Sequence, residues 1–276
     1  MSAIVKYYES FDEWGRLDRE PVEMMINWHF MKAYLPKPEA GPVLDNGAGP
    51  GKYSMKLAAS GYRVTVTDIT PKLVNMAQSK AKELGLEGQF DGFHSADAMD
   101  LSCLERDRFA ASLMLGPMYH LQAEEDRAKA VKELYRVTKP GGVVFVAFMP
   151  RTRHLISSLL HPRQWKPNDS AEQIAAFMES GAFDHSDEGR FTGAYYTRVE
   201  DIQPFMSKYG FAMVKMIGSS NIASLLQPDQ WSYWRSRGEA EMETLFELLK
   251  ETADNPYLLG VSPHILYIGV KVVGGS

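Results

Sequence analysis

Glycine at every second position gives the sequence its clearest chemical pattern. The pattern is DNGAGPG at residues 45–51, between a short apolar run and a helical pattern. Glycine lets the chain turn tightly and lets backbone N–H groups approach a ligand at a helix N-terminus. A dinucleotide-binding fingerprint has glycines at offsets 0, 2 and 5, which would put Lys52 at the third glycine. The pattern therefore predicts a ligand-binding loop of another kind or a tight strand-to-helix turn.

Two acidic residues end or follow the next predicted strands. Asp68 closes the strand predicted over residues 63–68, where a carboxylate can accept both hydroxyls of a ribose. The alternative is a capping role before the helix that begins after Thr70. Asp97, followed by Ala98, comes after the third predicted strand, where it could accept the amino group of a purine or lie in solvent as a loop acid. The two positions together favour a nucleoside ligand.

Tyr119 and His120 follow the fourth predicted strand, residues 109–115. Open α/β sheets bind ligands at the carboxyl ends of their strands. An imidazole with an ordinary pKa near 6.5 can accept a proton at neutral pH, so we expect His120 to be a general base with Tyr119 beside it. The alternative is that both are structural, because a positioned and already deprotonated acceptor needs no base.

Short apolar runs alternate with longer helical patterns, which predicts a parallel α/β sheet. Glycine and proline mark the boundaries of the elements. The predicted strands cover 42–45, 63–68, 89–94, 109–115, 143–149, 211–218 and 264–273, with a turn at 139–142. The predicted helices cover 7–17, 21–35, 52–60, 71–84, 123–137, 154–160, 170–180, 200–209 and 230–251.

Composition limits the function classes. The 276 residues carry 30 Lys and Arg against 35 Asp and Glu, a formal charge of −5, which disfavours a nucleic-acid partner. The single Cys103 excludes an internal disulfide and a four-cysteine zinc site, and no metal site is expected. No apolar run approaches the roughly 20 residues that span a bilayer, and no signal peptide is recognised. We therefore expect a cytoplasmic protein that does not enter the membrane.

The ordered motifs resemble those of the class I S-adenosylmethionine-dependent methyltransferases. VLDNGAGPG at 43–51 is similar to the family's first motif, Asp68 to its ribose acid and Asp97-Ala98 to its adenine contact. Residues 109–121 are similar to its fourth motif, and KPGG at 139–142 to the turn before its fifth strand. The opening YYESFDEWGRL at 7–17 resembles the mobile lid segment of the small-molecule branch.

The resemblance implies a Rossmann-like seven-stranded sheet of order 3-2-1-4-5-7-6 with its last strand antiparallel. It implies a single domain with a lid (1–40), a cofactor-binding core (41–150), a substrate cap (151–200) and a C-terminal part of the sheet (201–276). The expected cofactor-binding residues are Tyr8, Trp14, Arg16, Asp45, Gly47, Gly49, Gly51, Asp68, Ile69, Asp97, Ala98, Met99 and Leu115. The expected catalytic residues are His120 and Tyr119.

The function implied is methyl transfer from S-adenosylmethionine to an O or N atom of a small molecule, by a monomer or homodimer. The fourth strand ends in LGPMYH rather than the Asp/Asn-Pro-Pro-aromatic motif of many base N-methyltransferases, which disfavours a nucleobase acceptor. Methylation of a protein or tRNA is one alternative. A non-catalytic regulator that binds S-adenosylmethionine is the other.

Overall fold

The computed structural model describes residues 14–15, 21–187 and 190–272. Within them the strands are β1 (Val43–Asn46), β2 (Val64–Asp68), β3 (Phe90–Ser95), β4 (Phe109–Met114), β5 (Thr138–Pro150), β6 (Ala182–Phe183), β7 (Ala194–Thr197), β8 (Phe211–Gly218) and β9 (Ile265–Lys271). The longer helices are α1 (Pro21–Tyr34), α2 (Lys52–Ala59), α3 (Pro71–Glu83), α4 (Glu124–Val137), α5 (Arg151–Leu160), α6 (Ala171–Ser180), α7 (Val199–Lys208), α8 (Pro228–Ser236) and α9 (Glu239–Glu251).

The main sheet has the order β3-β2-β1-β4-β5-β9-β8. The first five strands are parallel, and β9 lies antiparallel between β5 and β8. Counted without the two short strands β6 and β7, this is the expected order 3-2-1-4-5-7-6. Because β9 runs against its neighbours, its first residue lies at the edge where the parallel strands end.

Helices cover both faces of the sheet. On one face α1, α2, α3 and α9 pack on buried strand residues such as Val66, Leu113 and Ile268. On the other face α4 and α7 pack on Met114 and Val146. The central strands are therefore buried on both sides, as continuous apolar strands of a parallel sheet are. Their rigid carboxyl ends are the platform for the loops described below.

Two sequence predictions differ from the structure. The single helix predicted over residues 230–251 is wrong, because the chain breaks between α8 and α9 at Gly238, whose φ of +102° is not helical. The turn expected at residues 139–142 lies within β5 as a bulge: Phe109 pairs with Thr138, whereas Ala111 pairs with Val143. Three extra residues in β5 are accommodated there, and Gly141 has a φ of +73°.

Residues 151–187 and 190–197 form a cap segment at the carboxyl edge of β5. Its strand β7 extends the sheet by pairing with Met149 and Pro150. Its aromatic side chains pack together with Tyr119 in one buried cluster, which includes Phe177, Phe183 and Tyr196. The cap segment is thus fixed to the turn that follows β4.

No helix of the described residues combines the length and the apolar character needed to cross a membrane. Among the same residues, no three His, Cys, Asp or Glu side chains come together in a way that could hold a metal ion.

Candidate functional site

The glycine loop after β1 is held between β2 and the turn after β4. The backbone N–H groups of Gly47 and Ala48 both donate to the carbonyl of Thr67, at 2.8 and 3.0 Å. A Cβ atom at position 47 would collide with the ring of Pro117. Gly47 is therefore required by packing, and its φ of +70° favours glycine independently.

Gly49 differs from its neighbours because it faces open space. Its φ is +56°, and no described heavy atom outside its chain neighbours lies within 4 Å of where a Cβ would stand. A Cβ at Gly51, in contrast, would lie 3.1 Å from Ala77. The open space above Gly49 is a cradle, bordered by backbone, that a ligand can approach and that a side chain would fill.

Asp68 lies directly behind this cradle and is 7% exposed. Its Oδ2 accepts the N–H of Gly49 at 2.8 Å, and its Oδ1 accepts the N–H of Thr70 at 2.8 Å. Burial raises the pKa of Asp68, and the hydrogen bonds from Thr70 and Gly49 oppose this rise. Asp68 thus takes part in the local turn, which was the alternative interpretation, and also borders the cradle, as its expected ribose role requires.

Asp45 lies beneath the same loop. Its Oδ2 accepts the hydroxyl of Ser54 on α2 at 2.6 Å. Burial raises the pKa of Asp45 to about 6, and the negative charge of Asp68 adds to the rise. Asp45 therefore fixes α2 to the strand end and adds negative charge beneath the loop, which suits a cationic ligand group above it.

The other expected cofactor residues line the neighbouring loop ends. Ile69, next to Asp68, is 48% exposed although it follows a fully buried strand. Asp97 accepts the N–H of Met99 at 2.9 Å, and Ala98 is buried. Leu115 follows β4 and packs against both the sheet core and the cap cluster. These positions offer apolar surface and one carboxylate at the carboxyl edge of β2, β3 and β4.

Trp14 is the one expected lid residue that the structure describes. Its ring lies 4.5 Å from Nζ of Lys52 and 4.9 Å from Nζ of Lys80. Lys52 begins α2 directly after the glycine loop, and Lys80 lies on α3. Trp14 therefore lies on the helices beside the cradle. Tyr8 and Arg16 are outside the described residues.

Tyr119 and His120 lie in a short 3-10 turn over residues 117–120, after β4. Their rings are 4.9 Å apart, and the ring of Phe191 from the cap segment is 5.3 Å from His120. Burial lowers the pKa of His120 to about 4, and the nearby His264 contributes to the decrease. His120 is therefore neutral at pH 7 but a weaker base than the ordinary pKa assumed from the sequence.

His264 and Glu23 are neighbours of this turn that the sequence did not single out. The ring of His264 is 5.3 Å from that of Tyr119, and its Nδ1 is 3.1 Å from Oε2 of Glu23. One signal was present in the sequence: the residue that starts an antiparallel last strand must lie at the carboxyl edge. Nothing local pairs it with Glu23, which is 241 residues away.

Comparison with known proteins supports the motif assignment. Residues 43–142 match a family model described as "Methyltransferase domain". The magnesium protoporphyrin IX methyltransferase of Synechocystis PCC 6803, solved with bound S-adenosylmethionine, has the same fold at a TM-score of 0.56 and 16% identity, with 98% of each chain covered.

Three curated relatives differ in the acceptors that their names state. The malonyl-[acyl-carrier protein] O-methyltransferase of Erwinia billingiae is 28% identical, over 56% of each chain. The tRNA (carboxymethyluridine(34)-5-O)-methyltransferase of Arabidopsis thaliana is 33% identical, over 56% of this chain and 35% of the relative. The glycine/sarcosine N-methyltransferase of Parasynechococcus marenigrum is 29% identical, over 77% and 78%. The chain spans about half the length or less of the first two.

The residues present fit S-adenosylmethionine. The cradle above Gly49 has room for a ligand against backbone, Asp68 stands beside it, and exposed Ile69, the residue after Asp68, offers apolar surface. Residues 43–142 of the chain therefore form a methyltransferase domain of the S-adenosylmethionine-dependent class.

Proposed function

We propose that the protein transfers the methyl group of S-adenosylmethionine to an O or N atom of a small molecule. The observation that carries this proposal is the enclosure of the turn after β4. Tyr119 shares a buried cluster with Phe177 and Phe183, so the cap segment lies directly on the surface beside the cofactor loop. A surface covered in this way suits a small acceptor better than a folded RNA or protein.

When bound, S-adenosylmethionine supplies a methyl group on a positively charged sulfur. The glycine loop and Asp68 hold one side of the site, and Asp45 adds a buried acid beneath it. The aromatic rings after β4 exclude water from the other side. Excluding water and fixing the acceptor in line can account for a large share of the rate of such a transfer.

The relatives support an O or N acceptor without selecting one. Their names state a malonyl group, an amino acid and a tRNA. Of these three relatives, the glycine/sarcosine enzyme is matched over the largest share of both chains, 77% and 78%, which favours a small amine as the first acceptor to test. The formal charge of −5 disfavours a polyanionic acceptor such as tRNA.

The test is incubation of the protein with methyl-labelled S-adenosylmethionine and a cell extract separated into small-molecule, protein and RNA fractions. We expect label in the small-molecule fraction, and with purified glycine or sarcosine if the acceptor is an amine. Label in RNA or protein would support the alternative acceptors. Tight cofactor binding without any transfer would support a regulator instead. A Gly49→Val variant serves as the control without bound cofactor.

A further inference from the structure

Glu23, which is buried, and His264, which is partly buried, form a pair at the carboxyl edge of the sheet. The His264 Nδ1 and the Glu23 Oε2 are 3.1 Å apart, and Glu23 is 5% exposed. Removing a carboxylate from water without a partner is costly, so a buried glutamate is expected to be paired. The pair joins the first turn of α1 to the residue before β9.

The fold places His264 at the expected acceptor side. Ile265 pairs with Phe148 near the end of β5, so His264 lies beside the last residues of that strand. The N–H of Ser219 donates to the His264 carbonyl at 2.9 Å, which fixes its backbone. The ring then lies 5.3 Å from Tyr119, on the same turn as His120.

The hydrogen bond to Glu23 determines which nitrogen of His264 carries a proton. A carboxylate oxygen accepts, so Nδ1 must donate. In the neutral ring this leaves the lone pair on Nε2. A carboxylate that receives Nδ1–H also stabilises the imidazolium that forms when Nε2 takes a proton, as in acid–histidine pairs of enzymes.

His120 lies in an apolar part of the same turn. Among the described residues, its ring neighbours are Tyr119 and Phe191, and burial favours its neutral form. Glu23 from α1 faces the His264 ring, and so does His120 from the turn after β4 when it is protonated. The ring of His264 is thus hydrogen-bonded to an acid, whereas the rings of Tyr119 and Phe191 lie 4.9 and 5.3 Å from that of His120.

We propose that His264, oriented by Glu23, is the group that accepts the proton of the methyl acceptor, and that His120 is part of the wall. This rests on the proposed function. The acceptor lone pair forms a bond to the methyl carbon, the carbon–sulfur bond breaks with its electron pair remaining on sulfur, and the acceptor N–H or O–H proton moves to Nε2 of His264. Glu23 acts as a positioning residue.

The first experiment needs no acceptor. Long-range ¹H–¹⁵N NMR of the full chain with labelled histidine reports the tautomer of each ring, and His264→Ala identifies the signals of residue 264. We expect the neutral ring to carry its proton on Nδ1, and this preference to weaken in Glu23→Leu. A proton on Nε2 in the unaltered protein would overturn the proposal, because that nitrogen would then have no lone pair.

The second experiment measures methyl transfer to the acceptor found by the labelling test. We expect His264→Ala to lose at least a hundredfold in rate, with cofactor affinity unchanged by calorimetry and with partial recovery in added imidazole. Glu23→Asp should keep more rate than Glu23→Leu. His120→Ala should not recover with imidazole, and exposed His161→Ala should leave the rate unchanged.

Two results would count against the proposal in different ways. If the unaltered protein transfers methyl groups but His264→Ala loses less than tenfold, or imidazole rescues His120→Ala instead, the proposal is wrong and the proposed function stands. If the unaltered protein transfers no methyl group to any fraction of the extract, the proposed function fails, and the proton-transfer role fails with it.

Discussion

The backbone N–H of Gly49 donates to Oδ2 of Asp68 across 2.8 Å, joining two motifs that are 19 residues apart. The bond fixes the glycine loop after β1 to the acid that ends β2. A carboxylate has about four acceptor positions, so acceptor capacity is left for a ribose hydroxyl after the backbone bonds. The loop and the acid therefore form one unit, and a change in either affects both.

Asp68→Asn should weaken S-adenosylmethionine binding at least tenfold. Loss of a charged hydrogen-bond acceptor costs on the order of 1.5–3 kcal/mol. Isothermal titration calorimetry measures the affinity, and thermal unfolding of the cofactor-free protein shows whether the turn still forms. Asp91→Asn is a matched control, because Asp91 pairs with Arg63 on the surface. Equal affinities of the Asp68→Asn variant and the unaltered protein would contradict the ribose role.

Gly49→Ala should abolish cofactor-induced thermal stabilisation. The new Cβ fills the cradle, and the backbone strain at positive φ costs about 1–2 kcal/mol. Gly61→Ala separates these two effects, because Gly61 also has a positive φ, +88°, and also faces open space. Both variants should unfold at a lower temperature without cofactor. If Gly49→Ala still gains as much stability from the cofactor as Gly61→Ala does, the loop is only a turn.

Trp14→Leu should weaken cofactor binding severalfold and lower turnover. The Trp14 ring contacts Lys52 and Lys80 beside the loop, and each such contact contributes about 0.5–1 kcal/mol at an exposed site. Trp28→Leu is the control, since Trp28 makes a similar contact with Lys56, farther along α2. Affinity and turnover are measured for both. An effect of equal size in the two variants would assign Trp14 to general packing and not to a lid.

The order of the sheet could be predicted because glycines and prolines mark the end of each short strand. Gly238 is the same kind of signal, but it stands within a continuous helical pattern over residues 230–251, which predicts one long helix. The protonation of His120 could not be predicted, because it depends on burial beneath Phe191 and beside His264. The pairing of Glu23 with His264 depends on where α1 and β9 meet, which no local spacing encodes.

Asp45→Asn should make the cofactor-free protein more stable near pH 7 and change little near pH 4. The pKa of Asp45 is raised by burial to about 6, from an ordinary value of 3.8. The folded state therefore holds a proton that the unfolded state has lost, and stability falls as pH rises from 4 to 6. The shift corresponds to about 3 kcal/mol. Urea unfolding at several pH values measures the free energy of unfolding of both proteins. If this free energy changed with pH in the same way in the Asp45→Asn variant and in the unaltered protein, the prediction would be contradicted.

We expect His154 to make the stability of the cap segment depend on pH in the direction opposite to that of Asp45. Its ring lies 4.4–5.0 Å from the rings of Phe177, Phe183, Tyr196 and Trp165, and its Nε2 is 3.0 Å from Nδ2 of Asn168. An amide nitrogen donates, so Nε2 must accept and the ring is neutral. Burial lowers the pKa of His154 to about 4, from 6.5.

Because the unfolded state takes up the proton first, the stabilisation is complete above pH 6.5 and is lost as pH falls toward 4. From the size of the pKa shift of His154, the folded state loses about 3 kcal/mol of stability. Acidification should therefore expose the cap segment to proteases and change the fluorescence of Trp165. His154→Gln keeps an acceptor for Asn168 and should remove this pH dependence, whereas His161→Gln, at an exposed position, should retain it. Identical acid transitions in both variants would show that another group controls the cap segment.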